Sequence, residues 1–165
     1  MKVVYLFVAA LLFASVGGMA HAQQLDQTFK KWSVFSTVEG GKTICYIASS
    51  PTSEKGNFSK RGEAHVWVMS RGKNVDEVSA TSGFPYKDKA DVIVEIGNKQ
   101  YKLFSQGDTA WTKDVSQDRA LVTAMKKGSS MVVRGSSQKN THAKDGYSLS
   151  GFSAAYNRMK ALCAK

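Results

Sequence analysis

The feature that most constrains this chain is a pair of cysteines, Cys45 and Cys163, its only two, the second followed by just Ala164 and Lys165. A thiol at a fraying terminus is a liability unless it fastens that terminus. Phe152, Ala155, Tyr156, Met159 and Cys163 recur at i, i+3, i+4, i+7 and i+11, one face of a helix, with Arg158, Lys160 and Lys165 off it. Cys163 is therefore expected to point inward and to be buried. In an oxidising compartment its intramolecular partner is Cys45, closing a loop of more than 100 residues. Chain-entropy arithmetic assigns such a loop roughly 4–5 kcal/mol. A fold that accommodates this bridge must bring its last helix onto an early strand.

The other end of the chain speaks to the compartment. It reads MKVVYLFVAALLFASVGGMAHAQ: a basic Lys2, an apolar run from Val3 to Val16 interrupted only by Ser15, a Gly17-Gly18 break, and the small-x-small pattern Ala20-His21-Ala22. This predicts a secretory signal peptide over residues 1–22, cleaved after Ala22, and one domain over residues 23–165. The apolar run is too short to span a bilayer comfortably. The expected location is the periplasm, the outer envelope or the medium, with no transmembrane segment in the mature chain.

Between the ends the sequence reads mostly as strand. KWSVFST (31–37), TICYIAS (43–49), EAHVWVMSR (63–71), VDEVSATSG (75–83) and SMVVRGSS (130–137) are β-rich, and VIVEIGNKQYKLF (92–104) is a hairpin about Gly97-Asn98. A short run begins around Trp111. SPTSEKGNFSKRG (50–62) and QKNTHAKDG (138–146) have loop composition. SQDRALVTAMKKG (116–128) switches to helical spacing, with lysines in its last turn and Gly128 after it. Seven to nine short strands and two short helices, without βαβ alternation, predict a mainly β, antiparallel, β-sandwich-like single domain. The aromatic residues Trp32, Trp67, Trp111, Tyr101, Phe104 and Phe152 are expected to fill its core, although they could line a cleft.

Catalytic signals are sparse. After cleavage only His65 and His142 remain, no His/Cys set has metal-ligand spacing, and no cofactor is expected. Ser136, Ser137, His142 and Asp145 lie close in sequence but outside any Gly-x-Ser-x-Gly context, so a polar loop is the better reading. The formal net charge is +10, falling to +9 once Lys2 leaves. An exported basic chain meets anionic envelope or host-surface components rather than nucleic acid. Lys55, Lys60, Arg61 and Arg71 are the candidate binding surface. The expectation is a non-enzymatic interaction module of the cell envelope; a small periplasmic hydrolase or carbohydrate-active enzyme is the alternative.

Several stretches together resemble the invasion-associated locus B (IalB) family of exported alphaproteobacterial proteins. KWSVF and KTICYIAS resemble its Trp-x-Val strand and Cys-bearing second strand, EVSATSGFPYKDKADVIVEIGNKQYKLFSQGDTAWTKD its middle region, and ALVTAMKKGSSMVVRGSS with DGYSLSGFSAAYNRMKALC its closing segments. The resemblance implies an exported, non-enzymatic β protein associated with host entry in pathogenic relatives, and brings no catalytic residues. Many members carry a further cysteine just after Trp-x-Val, where this chain has Phe35 and Ser36, so one disulfide is the most it can form.

Overall fold

A computed structural model describes residues 23–72 and 75–164; the expected signal peptide lies outside the described residues. Among the described residues eleven strands form: β1 (Gln24–Phe29), β2 (Trp32–Glu39), β3 (Lys42–Ser49), β4 (Ser53–Gly56), β5 (His65–Gly72), β6 (Val75–Thr81), β7 (Val92–Ile96), β8 (Lys99–Gln106), β9 (Thr109–Trp111), β10 (Ser130–Ser136) and β11 (His142–Ser148). The helices are α1 (Val115–Lys127), between β9 and β10, and α2 (Phe152–Leu162), after β11. All strand pairs are antiparallel, in the single open order β1-β2-β3-β5-β6-β9-β8-β7-β10-β11-β4.

The ladder bends back over one core. The start of β2 meets the end of β11: Lys31 N–H donates to the Ser150 carbonyl at 3.3 Å, and the Trp32 indole N–H to the Ser148 carbonyl at 3.0 Å. One buried cluster runs through Trp32, Ile47, Val68, Leu103, Val133 and Met159. The expected mainly antiparallel, sandwich-like domain with two helices is what forms. The two halves are continuous rather than separate sheets, and the strands outnumber the expected seven to nine because β1, β4 and β11 come from stretches of polar composition.

Strand alternation explains most of this. β7 buries Val92, Val94 and Ile96, and β10 buries Met131, Val133 and Gly135, with the intervening residues turned out. α1 begins at an Asp114 cap whose carboxylate accepts from Gln117 N–H at 2.9 Å, and it buries Leu121, Val122 and Met125. Asp118, also buried, accepts from Val78 N–H at 2.8 Å and Thr112 Oγ1–H at 2.5 Å, tying α1 to β6. α2 places Phe152, Ala155 and Met159 inward, as the spacing predicts, with Phe152 edge-on to Trp32 at 4.9 Å. Its cap, Gly151, has φ +94, and a Cβ there would collide with the Phe29 carbonyl. Only glycine allows the chain to turn from β11 into α2 this close to β1.

Cys163 caps α2 and is bonded to Cys45 on β3, with Cα atoms 5.9 Å apart and a sequence separation of 118. Cys45 is fully buried, whereas Cys163 is half-buried, because the helix stops at that residue and leaves one side of the sulfur open.

Candidate functional site

The four basic residues expected to make a surface do not act alike. Lys55, on β4, and Lys60 are exposed. Arg71, on β5, is exposed and pairs with Glu77 at 3.1 Å. Arg61 turns inward. Its side chain is 5% exposed and binds the fully buried Asp145 through two parallel bonds of 2.6 and 2.7 Å. It also pairs with Glu54 at 3.1 Å, donates to the Ser82 carbonyl at 3.0 Å, and lies over the Phe58 ring at 4.2 Å. Hydrogen bonding to Asp145 pushes the guanidinium's pKa above its ordinary value. Arg61 clamps residues 57–62 onto β11 and offers no charge to a partner. Sequence reasoning missed this role because its partner lies 84 residues away.

Lys55 has company that the sequence did not point to. Antiparallel register places Lys55 directly opposite Lys144 on β11, and Lys144 directly opposite Arg134 on β10. All three are exposed and stand on one face of three adjacent strands. Arg134 is held by Glu95 at 2.9 Å, while among the described residues neither Lys55 nor Lys144 has an acidic partner. Like charges directly opposite across strands repel. Ser136 and His142 stand beside them, and the whole lines a shallow cleft of about 350 Å³.

The Ser/His/Asp set does not assemble. Ser136 Oγ and His142 Nδ1 are 2.8 Å apart across the β10–β11 pair. Asp145, three residues from His142, therefore falls on the opposite face of the strand, where Arg61 occupies both its oxygens. Ser137 Oγ accepts from the Lys139 and Thr141 N–H groups and shapes the β10–β11 turn. A Ser–His contact without a carboxylate to orient the imidazole lacks the third member of the triad arrangement. Among the described residues no group of three His, Cys, Asp or Glu is placed to hold a metal ion.

The aromatic residues divide. Trp32 and Phe152 are core; Trp67, Tyr101 and Trp111 are half-buried; Phe104 is 43% exposed beside Trp111, ring centroids 5.8 Å apart. Among the described residues no helix is long and apolar enough to cross a membrane.

Fold and site define a disulfide-fastened, mainly antiparallel β domain with a cationic sheet face and a Ser–His contact whose neighbouring aspartate is turned away. The chain belongs to the family described as invasion associated locus B (IalB) protein, whose model matches residues 32–160. It is similar in fold to the crystal structure of invasion associated protein b from Bartonella henselae, with a TM-score of 0.62 and 19% identity over 84% of this chain and 97% of that one. No curated protein matches the sequence.

Proposed function

We propose that this protein is exported, with cleavage after Ala22, and acts in the periplasm or at the envelope surface as a non-enzymatic module that binds anionic envelope or host-surface components. The observation that carries the reading is the Lys55–Lys144–Arg134 row. Like charges directly opposite each other on a sheet destabilise the fold. A polyanion laid across the row converts that repulsion into attraction. The reading is tested with vesicles containing lipopolysaccharide, against neutral phosphatidylcholine vesicles. Binding should require the anionic component and weaken steeply as salt rises toward 0.15 M and beyond, where screening acts over about 8 Å. Lys55→Glu with Lys144→Glu should weaken it further. Salt-insensitive binding overturns the reading.

The Ser136–His142 contact favours a second reading, a small periplasmic hydrolase. A turnover abolished by Ser136→Ala or by His142→Ala would establish that reading in place of the first.

A further inference from the structure

A second cationic feature lies away from the Lys55 row, where α1 faces the inner side of β8. Along that side of β8 burial falls in steps: Leu103 is fully buried, Tyr101 is half-buried, and Lys99 is exposed. The outer face of α1 runs opposite, with Arg119, Thr123 and Lys127 at i, i+4 and i+8, all exposed. Between the two walls, against the small side chains of Ala120 and Ala124, lies a cleft of about 720 Å³. A second of about 300 Å³ continues it toward the start of α1, and the two share Tyr101 and Ala120 as common lining. The depression is thus elongated, with an aromatic ring at its midpoint.

Its charge is one-sided. Lys99, Arg119 and Lys127 line the larger part, Lys102 and Lys113 the smaller, and no Asp or Glu lines either. Lys102 is paired with Asp91 at 3.1 Å; among the described residues the other four have no acidic partner. In a domain with 13 acidic residues, their exclusion from both halves of one groove leaves an uncompensated positive field, focused by the concavity. The remaining polar lining is neutral: Asn98, Ser129 and Ser130 can both donate and accept, while Gln100 donates to Glu95 at 3.0 Å, Gln117 accepts from Lys113 N–H at 3.3 Å and Thr112 donates to Asp118.

We infer that this groove binds a linear anionic oligosaccharide, its carboxylates or sulfates held by Lys99, Arg119 and Lys127 and one sugar ring laid against Tyr101. The inference rests on the reading that the partner is anionic, and it names a second site and a ligand class. Three observations select a glycan. The length, two clefts meeting at one ring, suits a chain of several units better than a single ion. Amide and hydroxyl groups interspersed among cations match a ligand that alternates hydroxyls with charges. Among the described residues, none of the exposed large apolar ones, Leu25, Val38, Val75, Phe104 and Val115, lines the groove, so it has nothing to insert into a bilayer.

The test is calorimetry on the disulfide-bonded protein with a heparin hexasaccharide and a hexagalacturonate, with cellohexaose as the uncharged control. Binding of at least one anionic hexamer, and none of cellohexaose, is expected. Arg119→Glu with Lys127→Glu should weaken it by about tenfold or more. Tyr101→Leu, which keeps the bulk and removes the ring, should weaken it by a smaller factor. Lys42→Glu, at an exposed β3 lysine that lines neither cationic feature, should leave it within about twofold, and unchanged melting temperatures exclude unfolding as the cause. Several outcomes overturn the groove while leaving the anionic reading intact: loss of hexamer binding only in the Lys55/Lys144 variant, equal binding of a dT12 oligonucleotide, or lipopolysaccharide-vesicle binding with no hexamer binding. Failure to bind any of these probes overturns both.

Discussion

The two edges of the ladder are secured by different chemistry. At the β1 edge, the strands lean on α2. Trp32 meets Phe152 edge-on, the disulfide joins β3 to the helix end, and Arg158 holds Asp26 in a two-bond pair on the surface. Among the described residues no helix packs against the β4 edge. A four-residue strand with every residue exposed is kept in place by a loop whose Arg61 reaches down to Asp145. One edge is fastened covalently and by apolar packing, the other by a buried ion pair. A disulfide acts mainly by restricting the unfolded chain, whereas a buried pair depends on both partners being present. The first edge is therefore sensitive to reductant and the second to any change that strands one charge.

The largest effect should come from stranding that charge. Arg61→Met leaves Asp145 buried without a counter-ion and should cost about 3–5 kcal/mol by urea unfolding. A loss under about 1 kcal/mol would mean that the β4 edge does not depend on the pair. Replacing both cysteines by serine should cost about 2–4 kcal/mol and make limited proteolysis begin at the C-terminal helix. Equal susceptibility at both edges would erase the contrast.

Alkali should also weaken the fold through Tyr86, near the Asp145 pair. Burial, as the main cause, pushes the Tyr86 hydroxyl up to about 12, and nearby Asp145 adds to the rise. The unfolded chain releases this proton near pH 10 and the folded one near 12, so the folded state holds more protons across that window and its stability falls as pH rises through it. Tyr86→Phe should remove roughly 2–3 kcal/mol of that decline between pH 10 and 12, seen as a shallower pH dependence of the unfolding midpoint. An unchanged slope would place the alkali-sensitive group elsewhere. The smallest effect is opposite in sign. Lys144→Glu puts an acid between Lys55 and Arg134 and should raise stability by about 0.2–1 kcal/mol, measurable as a small increase in melting temperature. No gain would mean that the row carries no repulsion.

The same contrast separates what the sequence made legible from what it hid. The β1-edge fastening could be read directly. The spacing from Phe152 to Cys163 defines a helix face, and two cysteines admit one intramolecular pairing. The hairpin about Gly97-Asn98 was equally plain. The β4 edge was not. SEKG is all polar because both faces of that edge strand meet solvent, so it carries no alternation to detect. In β11, HAKDGYS, the inward positions are Ala143, Asp145 and Tyr147, and an aspartate at a core position breaks the pattern that marks a strand. Only its pairing with Arg61, distant in sequence, makes that position tenable. β1 escaped for the first reason, a polar edge strand paired on one side. The basic row and the α1 groove were illegible for another. Both are made by register and by packing between strands or helices far apart in the chain, and neither leaves a motif.

The bridge between Cys45 and Cys163 has a bearing on how long the protein survives proteases. It closes a covalent ring that contains every element from the middle of β3 to the end of α2. A single cut anywhere in that ring, at an exposed turn such as Gly107 or Asn140, opens it without releasing a fragment. The two pieces remain tied at the sulfurs and can re-form the same ladder. Only β1, β2 and the first residues of β3 lie outside, so a nick there is the one that sheds a strand. A nicked molecule should run as two bands when reduced and as one when not, and should retain its fold.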